Sequence, residues 1–459
     1  MGAVTTAARR MFRRRERETR ALPPGPSWPP AAQLTAWMLR PYPTLQHIRR
    51  RYGAPFSMRF PNYPHIVTFD DPEHVKEIFT GPWRELHAGQ ANETLRPLVG
   101  TRSLLLLDGE EHVRERKLLL PPFHGERMQS YGETMREVTA EALRRWPVGR
   151  PFAVQPETQA ITLDIILRTV FGVSEGEELE RVRQGIDRLV QGASNPAFLV
   201  PWLQRDLGPR SPWGRFLRAR EAADALLYEQ IEARRASAAE RDDVLSMMMT
   251  ARYEDGRAMT PRELRDELMT LLVAGHETTA TSLAWVFHHL IEHPHVQARV
   301  HEELDGLPGD GVSADGAHDL PYLDAVIKET MRLSPVIASV GRVLSAPRRI
   351  GGWELPAGTM AVPSIYLVHM NPRVWPEPTR FDPERHLGQR TSPYTHFPFG
   401  GGIRRCIGMA FALYEMRVVL ATVLRRHGVR AAPGVRIVPR RRSVTMAPSQ
   451  DMPLVLERR

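Results

Sequence analysis

From Pro261 to His293 the chain carries an almost unbroken helical pattern, and this run sets the scale of any fold it can adopt. Thr260 suits the N-cap, Pro261 the first helical position, and Glu263 completes a capping box; Pro294 stops the run. About 33 residues at ~1.5 Å each span roughly 50 Å, enough to cross a large domain. The flanks, Leu268–Ala274 and Ala280–Phe287, are apolar on all sides, so the helix is expected to be buried. Its centre reads Ala274-Gly275-His276-Glu277-Thr278-Thr279. A glycine and several polar groups inside a buried helix are locally unfavourable, and such violations mark functional positions.

The same three- and four-residue apolar spacing predicts helices over Glu111–Leu120, Met128–Trp146, Gln155–Phe171, Glu177–Gln191, Pro212–Arg235, Val296–Glu303 and Tyr322–Leu333. Asp71-Pro72 opens another through about Phe79. Strand patterns are few: Pro55–Phe60, His65–Phe69, Arg348–Leu355, Met360–Ser364 and Val435–Leu456. The expected class is mostly α with minor β-sheets, in one large domain over 22–459 behind a basic flexible tail, 1–21.

Charge narrows the function. The net +9 is concentrated at the ends: residues 1–20 carry +5 and 425–459 carry +7, leaving −3 for the rest. Those basic ends hold one aromatic, Phe12, too few for a single-strand-binding groove, so no nucleic-acid partner is expected. No run of 18 apolar residues exists and the start lacks an apolar signal segment. The expected location is cytoplasmic, with Arg9–Arg20 as a segment for loose membrane contact.

The chain has one cysteine, Cys406, in Phe397-Pro398-Phe399-Gly400-Gly401-Gly402-Ile403-Arg404-Arg405-Cys406-Ile407-Gly408. The glycines permit close approach to something flat or bulky. An apolar helix follows the cysteine to Arg425, so the sulfur stands at a helix start beside two arginines, which favours thiolate. For a lone cysteine the alternative is a buried structural residue beside a turn. A thiolate in a glycine-rich loop suits axial ligation of haem iron.

These residues resemble the haem-binding signature of the cytochromes P450, Phe-x-x-Gly-x-Arg-x-Cys-x-Gly, at Phe399, Gly402, Arg404, Cys406 and Gly408. Three further segments resemble the family in order: Ala274–Thr279 its oxygen-activation motif, Glu329-Thr330-Met331-Arg332 its Glu-x-x-Arg, and Phe381–Arg385 the source of a third network member.

The resemblance implies heme b, with O2 as co-substrate and Cys406 as the iron ligand. It implies contacts to the cofactor from His112, Arg116, Ala274, Gly275, Arg342, Phe399, Gly400, Arg404 and Gly408; several cations converging on two propionates is the electrostatic solution. Glu277 and Thr278 become an acid–alcohol pair. Splitting dioxygen requires protons, which a hydroxyl can position and a carboxylate can draw from solvent, while Gly275 leaves room for oxygen. The competing assignment for Thr278 is a bond back to the i−4 carbonyl. Glu329, Arg332 and Arg385 become a buried network that holds the haem loop.

The implied reaction is insertion of one oxygen atom into a hydrophobic organic substrate, by C–H hydroxylation or epoxidation. Electrons would come from a separate ferredoxin or flavodoxin with its NAD(P)H reductase, since no flavin or iron–sulfur segment is evident. Leu104, Ala274, Val336, Ile337 and Ala447 are the expected pocket residues, within Gln90–Leu106, Leu271–Thr278, Pro335–Val340 and Met446–Pro448, with Asn195–Trp202 as a further lining segment. This apolar lining fits a fatty acid, terpenoid, steroid or macrolide. A peroxide-driven peroxygenase and a non-enzymatic haem sensor are the alternatives, and His289-Leu290-Ile291-Glu292-His293 carries an inverted zinc-protease pattern.

Overall fold

The structure is a computed structural model, and it describes residues 22–123, 127–173, 176–193, 204–237, 241–308, 316, 319–388 and 390–459. The basic tail, 1–21, and the expected lining segment Asn195–Trp202 lie outside the described residues. The chain forms two compact units. One comprises the residues up to Asn92 with Ala338–Pro378 and Ser392–Arg405; the other comprises Glu93–Ile337, Thr379–Thr391 and Cys406–Arg459.

The first unit holds a five-stranded sheet in the order Phe56–Met58, Ile66–Phe69, Met360–Pro363, Arg342–Leu344, Leu86–His87. Ile66–Phe69 and Met360–Pro363 pair in parallel and the other neighbours are antiparallel. Both of these strands are buried along their whole length, which fits sequences that are apolar except at Thr68. The helix Pro72–Thr80 begins where expected: the Asp71 carboxylate accepts the Glu73 amide at 2.9 Å. Pro30–Leu39 and Pro41–Tyr52 are also helices, additional to those expected, each with proline in its first turn. The expected strand Arg348–Leu355 is instead a hairpin, because Gly351 and Gly352 both take positive φ and turn the chain back.

The second unit is organised around the long helix, Pro261–Glu292. Its capping box is complete, with the Thr260 hydroxyl accepting the Glu263 amide and the Glu263 carboxylate accepting the Thr260 amide. The helix Val154–Thr169 packs along it, and its Thr158 and Thr162 hydroxyls donate to the carbonyls of Ala280 and His276, each at 3.1 Å. Gly109–Leu119, Arg127–Leu143, Gly176–Ala193, Pro212–Ala236, Pro294–Asp305 and Pro321–Leu333 are helical close to the expected bounds. A further helix, Val244–Thr250, is too short to show a period of its own.

The expected strand Val435–Leu456 is three strands, Pro439–Arg442, Thr445–Pro448 and Pro453–Arg458. Left-handed backbone at Ser443, and again at Gln450 to Met452, breaks it. The first two form a hairpin; the last is the centre of a sheet with Pro151–Ala153 and His427–Ala431. Among the described residues no helix is long and apolar enough to cross a membrane.

Candidate active site

In the second unit the long helix is buried on both sides of its centre, and at that centre one face is accessible. Ala274 is exposed, and Leu271, Gly275 and Thr278 are half-buried. These residues share one helix face by their spacing. The Thr278 hydroxyl donates to the Ala274 carbonyl at 2.5 Å, the local bond that competes with any other use of that proton. A hydroxyl oxygen so engaged still has lone pairs that accept. Gly275 also packs closely on a neighbouring helix. A Cβ there would stand 3.0 Å from Ile166 Cδ1, so the missing side chain serves the close packing of two helices.

Glu277 is turned into the unit, 13% exposed. Gln159 donates to its Oε2 at 2.6 Å, and Arg442 brings Nε to 3.5 Å from its Oε1. Burial pushes this carboxyl above the usual range, while Arg442 and then Gln159 pull against that rise. Its neighbour His276 is buried with Nε2 3.1 Å from the Gln159 carbonyl, and desolvation pushes it down to about 4. Neither Gln159 nor Arg442 carried a signal in the sequence: one sits in an ordinary helical run, the other in a basic cluster far along the chain.

The expected pocket segments of this unit are tied to the long helix. Asp266 accepts the Arg102 amide at 2.8 Å, and the Thr270 hydroxyl lies 2.7 Å from that of Ser103, fixing the loop that carries the buried Leu104. Trp285 donates to the Met446 carbonyl and Met446 to that of Val336, each at 2.8 Å. Val336 and Ala447 are buried and Ile337 is half-buried. His112 is buried on Gly109–Leu119, with Arg116 half-buried one turn on, so His112 is not a solvated helix residue.

Glu329 and Arg332 form a two-bond pair at 2.8 Å each, with both side chains 0% exposed. Arg385 brings Nε to 3.1 Å from Glu329 Oε1. Two further members have no counterpart in the sequence motif: His386, with Nε2 2.9 Å from Glu329 Oε2, and the Asp382 amide, which donates to Oε1 at 2.9 Å. Burial alone would raise the Glu329 carboxyl; the bonds from Arg332 and His386 outweigh it and hold the group below the usual carboxylate range. His289 and His293 are taken up otherwise. His289 lies against Ser334 at 3.0 Å and stacks on Phe381, and His293 bonds the His289 carbonyl. Among the described residues no group of three or more histidine, cysteine or carboxylate side chains could hold a metal ion.

In the first unit the glycine-rich segment folds onto Phe79. Side chains at Gly401 or Gly402 would collide with the Phe79 ring or its carbonyl, and Gly402 has φ +65. These two glycines are thus required by the close approach of the Phe79 ring and carbonyl. Gly400, with φ +69, has only Val340 near, at 3.9 Å. Arg342 is buried and donates to the carbonyls of Gly341 at 2.8 Å and Gly401 at 3.3 Å, beside the Phe79 ring. His369 Nε2 accepts the Phe397 amide at 3.2 Å, fixing the start of the segment. Phe399 and Arg404 are half-buried.

Cys406, exposed, opens the last stretch of the second unit, two residues ahead of Gly408, the N-cap of the helix Met409–Leu424. A side chain at Gly408 would meet nothing within 4 Å. An accessible thiol just ahead of a helix start fits the donor chemistry of an axial haem ligand.

The sequence model of the family described as "Cytochrome P450" matches residues 23–455. A protein of Mycobacterium bovis named "Putative cytochrome P450 135B1" is 43% identical over 414 residues, covering 88% of this chain and 85% of that one. Another from the same organism, "Putative cytochrome P450 138", is 38% identical over 441 residues, covering 95% and 97%. Among solved structures, the heme domain of cytochrome P450DA superposes with a TM-score of 0.84 at 25% identity, covering 95% of this chain and 98% of that one. A retinoic acid-bound cyanobacterial CYP120A1 gives 0.85 at 24% identity, covering 95% and 99%, and supports the fold alone. With the helical architecture, the family match over nearly the whole chain and these relatives together, the chain belongs to the cytochrome P450 family, the haem-thiolate monooxygenases.

Proposed function

We propose that this monooxygenase hydroxylates or epoxidises a hydrophobic organic substrate of the fatty acid, terpenoid, steroid or macrolide class. The observation that carries this is the accessible face of the otherwise buried long helix at Ala274–Thr278, with the Glu277 carboxylate held behind it. Residues 22–459 act as one catalytic domain, in the cytoplasm, taking electrons from a separate ferredoxin or flavodoxin and its reductase.

Cys406 holds heme b through its thiolate. His112, Arg116, Arg342 and Arg404 offset the two propionate charges, and Phe399, Gly400 and Gly408 line the cofactor. When bound, the haem supplies the reduction and cleavage of dioxygen, which a thiolate ligand favours. Thr278 orients a proton donor at its hydroxyl oxygen. Glu277 takes protons from solvent and passes them inward. Leu104, Ala274, Val336, Ile337 and Ala447 exclude water around the substrate and set its pose. Glu329, Arg332 and Arg385 keep the cofactor loop in place.

Product formation with NAD(P)H and a ferredoxin–reductase pair, compared with hydrogen peroxide alone, tests this reading. A product that depends on NAD(P)H and O2 supports it. Equal turnover with peroxide alone, insensitive to Glu277→Gln, replaces it with a peroxygenase.

A further inference from the structure

Arg442 is remote in sequence from the long helix, yet its guanidinium lies between two carboxylates. Nε is 3.5 Å from Glu277 Oε1, and Nη1 is 3.3 Å from Asp451 Oδ1. The three groups differ in exposure: 13% for Glu277, 32% for Arg442 and 57% for Asp451. They form a graded line of charge from an interior carboxylate to solvent. The hairpin Pro439–Arg442 and Thr445–Pro448 sets this placement. Arg442 pairs with Thr445 across the turn, and Met446 is bonded to Trp285 of the long helix itself.

We infer that Arg442 is a positioning residue for proton delivery: it clamps the Glu277 carboxylate against Gln159 and, with Asp451 as its outer counter-charge, sets how readily Glu277 exchanges protons with solvent. The inference rests on the reading of Glu277 as the proton carrier.

Of the described groups around Glu277, Arg442 is the charge that acts on it most strongly. Gln159, from Val154–Thr169, is neutral and donates to Oε2. Thr281, on the same helix as Glu277, is neutral and acts on the carboxyl in the same sense as Arg442. His276 is buried and held neutral by desolvation, with Arg442 adding to that effect. Asp451 acts in the opposite sense to Arg442, favouring the protonated carboxyl. Burial drives Glu277 toward its neutral form, and Arg442 is the largest influence opposing it. A carboxyl trapped neutral does not accept a proton from solvent, and one locked as a carboxylate does not release one inward. A partly exposed arginine shared with Asp451 keeps it between these limits.

Two substitutions should move Glu277 in opposite directions. Arg442→Gln removes the attraction, so Glu277 should titrate about one pH unit higher, the lower end of the range for an opposite charge at this distance. Asp451→Asn leaves Arg442 wholly to Glu277, so the titration should move lower. The carbonyl stretch of the protonated carboxyl, identified by its loss in Glu277→Gln, reads this directly in the resting holoenzyme by infrared pH titration. The acid limb of kcat against pH should shift with it, KM should stay as in wild type, and Arg442→Lys should restore both. Unmoved titration in Arg442→Gln, or shifts of the same sign in both variants, would overturn the inference. If Glu277→Gln leaves turnover unchanged at every pH, the proton-carrier reading itself fails. If that variant is slow while Arg442→Gln titrates as wild type, only the role of Arg442 fails.

Discussion

Arg332 lies flat against Glu329, its Nε and Nη2 each 2.8 Å from one carboxylate oxygen, and neither side chain reaches solvent. A guanidinium matches a carboxylate in this two-point geometry, which lysine does not reproduce. The same carboxylate also receives Arg385, His386 and the Asp382 amide, so it is saturated from several directions.

Removing one member therefore strands the others. Arg332→Ala should cost about 3–5 kcal/mol, the usual penalty for breaking a buried pair, out of a total stability of roughly 5–15 kcal/mol. Poor haem incorporation and a clearly lower Tm are expected. Haem-replete Arg332→Ala protein melting like wild type would disprove a structural role for the network.

The pH dependence of stability has a specific source in His276. Its folded pKa is lowered from 6.5 to about 4 by burial. Below pH 6.5 the unfolded chain takes up a proton at this residue while the folded chain refuses it, so stability falls as the pH drops toward about 4. The slope approaches about 1.4 kcal/mol per pH unit within that window and vanishes above it. His276→Gln should flatten this part of the stability curve, measured by urea unfolding at a series of pH values. An unchanged slope would show that His276 protonates freely in the folded protein.

Thr278 should govern coupling rather than substrate binding. With its hydroxyl removed, electrons should more often leave as hydrogen peroxide than as product. Thr278→Ala should consume NAD(P)H at a near-normal rate, with product per NAD(P)H falling severalfold and peroxide rising. A substrate without a hydroxyl near the oxidised carbon makes the comparison clean. A product-to-NAD(P)H ratio equal to wild type would leave Thr278 with only its bond to the Ala274 carbonyl.

What could be read in advance was local. Thr260, Pro261, Glu263 and Pro294 announce both ends of the long helix within a few residues of those ends. Glu329 and Arg332 lie at i, i+3, so their pairing needs only the helix that carries them. Interactions across long separations left no such mark. Arg442 meets Glu277 from 165 residues away, and nothing in Arg440–Arg442 distinguishes it from a solvated basic cluster. Short strands were missed for the same reason. Pro151–Ala153 is defined by its pairing with Pro453–Val455, not by any periodicity of its own. The glycines ahead of Cys406 show a different limit. Their spacing was legible, but Phe79, the group that requires two of them, comes from a distant helix.

The assignment of Cys406 as the iron ligand underlies every other catalytic role proposed for this chain, and no second thiol exists to replace it. The most direct measurement is the absorption spectrum of the reduced, CO-treated protein, wild type beside Cys406→Ala. Wild type should show the red-shifted Soret band of a thiolate-ligated haem, and Cys406→Ala should lose it even when haem is retained. The same band in Cys406→Ala would contradict the assignment outright.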